Sequence, residues 1–258
     1  MAETIIVIPA RYASTRLPGK PLAPIAGRAM IERVWRIARA AGCRTLVATD
    51  HEAIAAAVRA FGGEAVMTPP ECRNGTERAL AAIDALGLAP DVVVNLQGDA
   101  PITPPWVIGA MIEAMQAPGA EIGTPAVRLT GEAARQFIAR KKDTPASGTT
   151  VVMNRAGEAL YFSKAVLPFS RTGAPAEIFR HIGLYAYRLD ALRRLIALPE
   201  TPLEKSEQLE QLRALEHGMR IRVAVVDYRG RSHASVDSPE DVARVEAIIA
   251  REGELLAD

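Results

Sequence analysis

The chain has only two cysteines in 258 residues, Cys43 and Cys72, and they form no closely spaced pair. Metal-ligand and redox spacings are therefore missing, and reduced thiols are expected. No apolar run approaches the roughly 20 residues that cross a bilayer. The run Ile5–Ile8 is too short for the apolar part of a secretion signal, and charges follow it quickly. Lys and Arg total 31 against 30 Asp and Glu, a formal net charge of +1. That balance offers no global field for nucleic acid or an anionic membrane. Two phosphate-binding patterns are also missing. G-x-G-x-x-G does not occur, and G-x-x-x-x-G-K-[ST] fails because Pro21 follows Lys20. The expectation is a soluble cytoplasmic protein, with no nucleic-acid or membrane partner, in which any basic site is local.

What is present is an ordinary globular composition, 49% hydrophobic and 24% charged, on a chain long enough for a real core. Apolar runs alternate with alanine-rich helical stretches over the first part. "TIIVI" precedes the helix candidate "MIERVWRIARAAG", which stops at Gly42. "TLVAT" precedes "EAIAAAVRAFGG", with Asp50 as the expected N-cap. "EAVM" leads to "TERALAAIDALG", and "DVVVNL" leads through "QGDAPITPP" to "WVIGAMIEAM". Continuous apolar strands separated by helices predict an α/β fold, with a mostly parallel, Rossmann-like sheet flanked by helices.

From about residue 123 to 190 the pattern changes. "GTPAVRL", "GTTVVMN", "EALYFS" and "HIGLYAYRL" predict a smaller mixed or antiparallel sheet. A helix "KSEQLEQLRALEHG", a strand "IRVAVVD" and a terminal helix opened by "VDSPEDVARVEAII" complete the chain. With no linker or repeat, a single domain over 1–258 containing this smaller sheet is expected.

The stretch "IPARYASTRLPGKPL", Ile8–Leu22, carries Arg11, Arg16 and Lys20 on a backbone held by Pro9, Pro18, Gly19 and Pro21. It leaves the end of the first strand, where open α/β sheets bind ligands. Arginine can clasp two phosphate oxygens and lysine supplies a compact charge, so a nucleoside triphosphate fits this loop. Asp99 follows the strand Val92–Val94 through Gly98, where its carboxylate can face the same crevice. Magnesium often takes only one or two protein carboxylates beside a nucleotide. Asp237 is a second candidate. Helix initiation accounts for Ser238, Pro239, Glu240 and Asp241, but leaves Asp237 unexplained. Asn74-Gly75 reads as a turn into a helix. His181 and Tyr185, four apart in one apolar strand, share a face, where a histidine is more often a satisfied core residue than a ligand contact. Glu210 and Gln211 on a helix belong more often to a solvated face.

The opening loop resembles the signature of sugar-activating nucleotidyltransferases, and closely that of the 3-deoxy-manno-octulosonate (Kdo) cytidylyltransferases. "VATDHEAIAAAVRAFGGEAVMT", "NGTER", "VNLQGDAP", "ALYFSKAVLPFSR", "RHIGLYAYR", "LEQLRALEHG" and "VDSPEDVARV" extend the likeness, in family order, over nearly the whole chain. The resemblance implies the nucleotide-diphospho-sugar transferase type of fold. It also implies transfer of CMP from CTP to a 3-deoxy-2-ulosonic acid, Kdo first, with release of pyrophosphate, for lipopolysaccharide or capsule synthesis.

By the same resemblance Asp99 and Asp237 hold Mg2+, while Lys20, Arg16 and Arg11 neutralise the triphosphate. Pro9, Ala10, Arg11, Asn74 and Gly75 meet the cytosine and ribose. Gln97, Lys164, His181, Tyr185, Glu210 and Gln211 meet the sugar, and part of the smaller sheet forms a homodimer. Three positions depart from the family pattern. Ala100 stands where glutamate is usual, Lys164 where arginine is usual, and Asn74 where serine is usual. These departures keep three alternatives open: a modified octulosonate such as 8-amino-Kdo, a sialic-acid-type acceptor, or a catalytically silent nucleotide-sugar binding module.

Overall fold

The apolar runs of the amino-terminal part become the parallel strands of one sheet. In a computed structural model, residues 2–171 and 177–256 are described. They fall into two compact units, Met1–Gly109 with Tyr228–Asp258, and Ala110–Asp227. The segment 123–190 lies inside the second.

In the first unit β1 (Thr4–Ala10) leads through the basic loop to a short hairpin, β2 (Pro24–Ile25) and β3 (Arg28–Ala29). Helix α1 (Met30–Arg39) follows, then β4 (Arg44–Thr49), α2 (Glu52–Ala60), β5 (Glu64–Met67), α3 (Gly75–Ala85), β6 (Val92–Asn95) and the first half of α4 (Pro105–Ala114). The strands run in the order β5-β4-β1-β6, every pair parallel. Helices α1, α2 and α3 pack on them. Ile5 to Ile8 and Val92 to Val94 are buried without a break, as strands covered on both faces require. Each such side chain contributes about 1.5–3 kcal/mol by burial.

The second unit is built on β7 (Ile122–Leu129). It continues through α5 (Gly131–Asp143), β8 (Thr149–Met153), β9 (Ala159–Ser163), β10 (Ile178–His181), β11 (Tyr185–Arg188), α6 (Leu189–Ala197), α7 (Pro202–Glu207), α8 (Gln211–Glu216) and β12 (Ile221–Val226). Strands β10 and β11 lie antiparallel to β7, and β12 lies parallel to it, so strand pairing in this unit is mixed. The chain then returns to the first unit in α9 (Pro239–Glu252). Val245, Ile248 and Ile249 of α9 share a core there with Ile25, Met30, Ile102 and Val236.

Three local expectations are corrected. Asp50 does not cap α2; His51 does, with Nδ1 accepting from Ala53 N at 3.2 Å, because the Asp50 carboxylate is committed to Arg78 and Tyr12. The helix expected from "KSEQLEQLRALEHG" is two helices. Helix α7 starts early, at Pro202, where Glu204 Oε2 accepts from Thr201 N at 3.4 Å, and Gln208 turns left-handed at φ 54° before α8. A buried pair, Arg213 Nε to Glu204 Oε2 at 2.8 Å, ties α8 back to α7. His181 and Tyr185 do not share one strand, because Ile182–Leu184 interrupt the pairing with β7. The Thr124 hydroxyl fills that break by donating to Leu184 O at 2.8 Å.

Candidate active site

The basic loop is turned inward by a left-handed glycine. Gly19, at φ 66°, precedes the single 3-10 turn Lys20–Leu22, with Pro21 inside it. The turn sends the Lys20 side chain inward, where only 17% of it is exposed. Its Nζ lies 2.9 Å from Asp99 Oδ2 and 3.1 Å from Asp237 Oδ1. The two aspartates meet because Val236 N donates to Asp99 O at 2.9 Å, joining the loop after β6 to the start of α9. Asp237 is spared from capping. Asp241 Oδ2 instead accepts from both Asp237 N and Ser238 N, at 2.9 and 3.1 Å.

Burial works against the Lys20 charge, but the Asp99 and Asp237 carboxylates more than offset it, so its pKa is raised. Arg16 reaches Asp237 Oδ1 at 3.3 Å with 67% of its side chain exposed, a loose surface contact. Arg11 is exposed on the wall of a cleft of about 300 Å³.

That cleft is lined by Pro9–Arg11, Lys20–Pro21, Met30, Cys72–Gly75, Arg78, Gln97–Asp99 and Asp237. Its floor is tightly packed. A Cβ on Gly98 would lie 2.7 Å from Pro9 O, and one on Gly75 would lie 3.0 Å from Pro9 Cγ. Asn74 caps α3, with Oδ1 accepting from Glu77 N at 2.9 Å. Gln97 Nε2 reaches the Asn95 Oδ1 at 3.5 Å, and Asn95 is fully buried.

The structure thus gathers Pro9, Ala10, Arg11, Lys20, Asn74, Gly75, Gln97, Asp99 and Asp237 round one cleft, with Arg16 at Asp237. Sequence reasoning did not single out Arg78, which lines the cleft and pairs with Asp50. Its signal was an arginine on the buried face of α3, within the "NGTER" stretch.

The Asp99 and Asp237 oxygens already converge on one cationic nitrogen. Two carboxylates suit a hard ion such as magnesium, which completes its shell with phosphate oxygens and water. Among the described residues no group of three or more His, Cys, Asp or Glu forms a ligand cluster. The residues fit a nucleotide-borne magnesium ion rather than an all-protein metal cage.

The other candidates lie in the second unit. His181 is buried, with Nε2 2.9 Å from Thr124 Oγ1. Because that hydroxyl donates to Leu184 O, it is placed to accept from the ring Nε2–H. The His181 ring lies 5.0 Å from Phe162 and 5.6 Å from Tyr185. Burial, and then the Glu210 charge, push the Tyr185 hydroxyl well above its ordinary pKa. Gln211 is buried with no partner for Nε2 among the described residues. Lys164 is tied to Glu207, whose carboxylate accepts from its backbone N–H at 2.8 Å. Burial lowers the Lys164 pKa, with Glu207 opposing.

The family model described as cytidylyltransferase matches residues 5–221. The 3-deoxy-manno-octulosonate cytidylyltransferase of Maricaulis maris is 58% identical over 98% of this chain and 100% of its own. The protein of the same name from Desulfatibacillum aliphaticivorans is 44% identical over 96% of this chain and 98% of its own. Among solved structures, a CMP:2-keto-3-deoxy-manno-octonic acid synthetase complexed with CTP superposes with a TM-score of 0.87. It is 36% identical and covers 97% of this chain and 100% of its own.

Proposed function

The chain belongs to the cytidylyltransferase family, and we propose on that premise that it activates 3-deoxy-manno-octulosonate with CTP, giving the CMP-sugar and pyrophosphate. One observation carries the reading. Lys20, Asp99 and Asp237, brought from three parts of the chain, meet within 3.1 Å in a cleft at the strand ends.

In the reaction the anomeric hydroxyl of the sugar acid attacks the α-phosphorus in line, and the bond to the pyrophosphate oxygen breaks. Catalysis of this kind is chiefly positioning and charge stabilisation. Lys20, Arg11 and Arg16 neutralise the triphosphate and the departing pyrophosphate. Pro9, Ala10, Asn74 and Gly75 form the wall for the cytosine and ribose. Asp99 and Asp237 hold Mg2+, which supplies Lewis-acid polarisation of the phosphate when bound. Gln97, Lys164, His181, Tyr185, Glu210 and Gln211 recognise the sugar acid, an assignment supported by the family likeness. The Gln211 Nε2, without a partner among the described residues, and the polar His181–Tyr185–Glu210 group suit a hydroxylated ligand. Action as a homodimer in the cytoplasm, supplying lipopolysaccharide or capsule assembly, also rests on that likeness. No helix among the described residues is long and apolar enough to cross a membrane.

Pyrophosphate release, measured with magnesium across four nucleoside triphosphates and a panel of sugar acids, tests the reading. Turnover should require CTP and be greatest with Kdo. Preference for an amino-substituted octulosonate or a sialic acid would reassign the acceptor. CTP binding without turnover on any acceptor would overturn the enzyme assignment.

A further inference from the structure

The loop that carries Arg11 and delivers Lys20 has little to hold it from within. Between Arg11 and Gly19 its internal bonds are long, Gly19 N to Tyr12 O at 3.3 Å and Leu17 N to Ser14 Oγ at 3.4 Å. The shorter bonds, Lys20 N to Leu17 O at 3.1 Å and Leu22 N to Gly19 O at 2.8 Å, close only the turn at Lys20. At its far end Lys20 is held by Asp99 and Asp237, and at its start the hold comes from Asp50 and His51. Tyr12 N donates to Asp50 Oδ1 at 3.1 Å, and the Tyr12 ring stacks on His51 with centroids 3.9 Å apart. The other oxygen of Asp50 accepts from Arg78 Nη2 at 3.0 Å. Arg78 Nη1 donates in turn to Thr68 Oγ1 at 2.7 Å and Pro69 O at 3.4 Å. Only 4% of the Arg78 side chain and 13% of the Asp50 side chain are exposed.

We propose that Asp50 and Arg78 are positioning residues, a buried clamp that fixes the basic loop at the cleft for the triphosphate. The clamp joins the segments that follow β1, β4 and β5, all at the ligand-binding ends of parallel strands. An apolar pair of similar size would stabilise the fold about as well as a buried ion pair. What the charged pair adds is direction, because the planar guanidinium fork and the two carboxylate oxygens fix the angle at which Tyr12 leaves β1. The guanidinium lines the cleft while making three bonds to protein acceptors, so it acts through the loop. The consequence for CTP rests on the function proposed above, but the hold on the loop does not.

The test uses the whole chain in four variants: Asp50→Ala, Asp50→Asn, Arg78→Lys and, as control, Arg44→Gln. Arg44 pairs with Glu64 at the opposite ends of the same two strands, β4 and β5, in an exposed contact. Amide hydrogen exchange over residues 11–22 is measured without ligand, after circular dichroism confirms folding. Asp50→Ala should raise that exchange by about tenfold or more, as a locally opened segment does. Asp50→Asn keeps an acceptor for Tyr12 N and should restore much of the protection. Arg44→Gln should leave it unchanged. In turnover, KM for CTP should rise by about tenfold in Asp50→Ala and Arg78→Lys, with KM for the sugar acid unchanged.

Wild-type protection of the loop in folded Asp50→Ala would overturn the clamp. If Asp50→Ala does not fold, Arg78→Lys decides by the same measurement. Should the wild type fail to use CTP, the exchange result still settles the clamp, and only the assigned reaction falls.

Discussion

Lys20 Nζ donates to Asp99 Oδ2 at 2.9 Å, although the two residues lie on loops that leave different strands, β1 and β6. With Asp237 Oδ1 at 3.1 Å on the same nitrogen, the ammonium sits where two carboxylates converge on positive charge. A divalent ion held by those carboxylates has to compete with it. On the proposed function, Asp99 and Asp237 would hold the ion of a magnesium nucleotide and Lys20 would turn to its phosphate oxygens.

Lys20→Ala follows directly from that exchange. Turnover should fall by about 10²–10³-fold, the usual effect of deleting one preorganised charge from a phosphoryl or acyl site. Magnesium without nucleotide should bind the variant more tightly than the wild type, because the ammonium no longer opposes it. Calorimetric titration of the free protein with magnesium checks this. Equal affinity in the two proteins would show that the ammonium and the ion do not compete.

Much of the first unit was legible in the sequence because its physics is local. Unbroken runs such as Ile5–Ile8 and Val92–Val94 have no polar face to give to solvent, so they read as buried parallel strands. The placement of the loop Pro9–Leu22 was legible too, since it leaves the end of a strand that reads as buried, and Pro9, Lys20 and Pro21 line the cleft there. What failed depended on distant partners. Asp50 and His51 are both competent caps, and Arg78, an α3 residue, decided between them by claiming Asp50. The helix break at Gln208 requires a left-handed residue that its side chain does not announce. Thr124, a β7 residue, occupies the interruption between His181 and Tyr185. The meeting of Asp99 with Asp237 follows from a backbone bond between Val236 and Asp99, which no local pattern encodes.

Tyr185 sets an alkaline limit on stability. Its hydroxyl is held well above the ordinary value, first by burial and then by the Glu210 charge. Below about pH 10 the folded and unfolded chains both keep this proton, and the group contributes nothing to pH dependence. Above about pH 10 the unfolded chain ionises while the folded one does not, so stability falls as pH rises. Tyr185→Phe removes that contribution. Urea midpoints between pH 8 and about 11 should fall less steeply in the variant than in the wild type. Parallel curves would show that the hydroxyl ionises equally easily in both states.

The floor of the cleft gives a paired steric test. Gly98 is not in a left-handed conformation, so a substitution there meets only crowding, and the atom it meets is backbone. A Cβ would lie 2.7 Å from Pro9 O, in the strand that pairs with both β4 and β6. Backbone at the end of β1 cannot swing aside as a side-chain tip can, so the loop carrying Asp99 has to move. Gly98→Ala should cost about 1–3 kcal/mol, the range for overpacked interiors. It should also lower turnover by drawing Asp99 away from Lys20. Gly109, exposed within α4, has nothing within 4 Å of its own added Cβ. Gly109→Ala should stabilise by about 0.4–1 kcal/mol, through the reduced freedom of the unfolded chain. Urea denaturation of both variants, with CTP turnover on the same samples, separates the cases. A Gly98→Ala protein with wild-type stability and rate would mean that the floor yields, and that Asp99 is not held by the contact between Gly98 and Pro9.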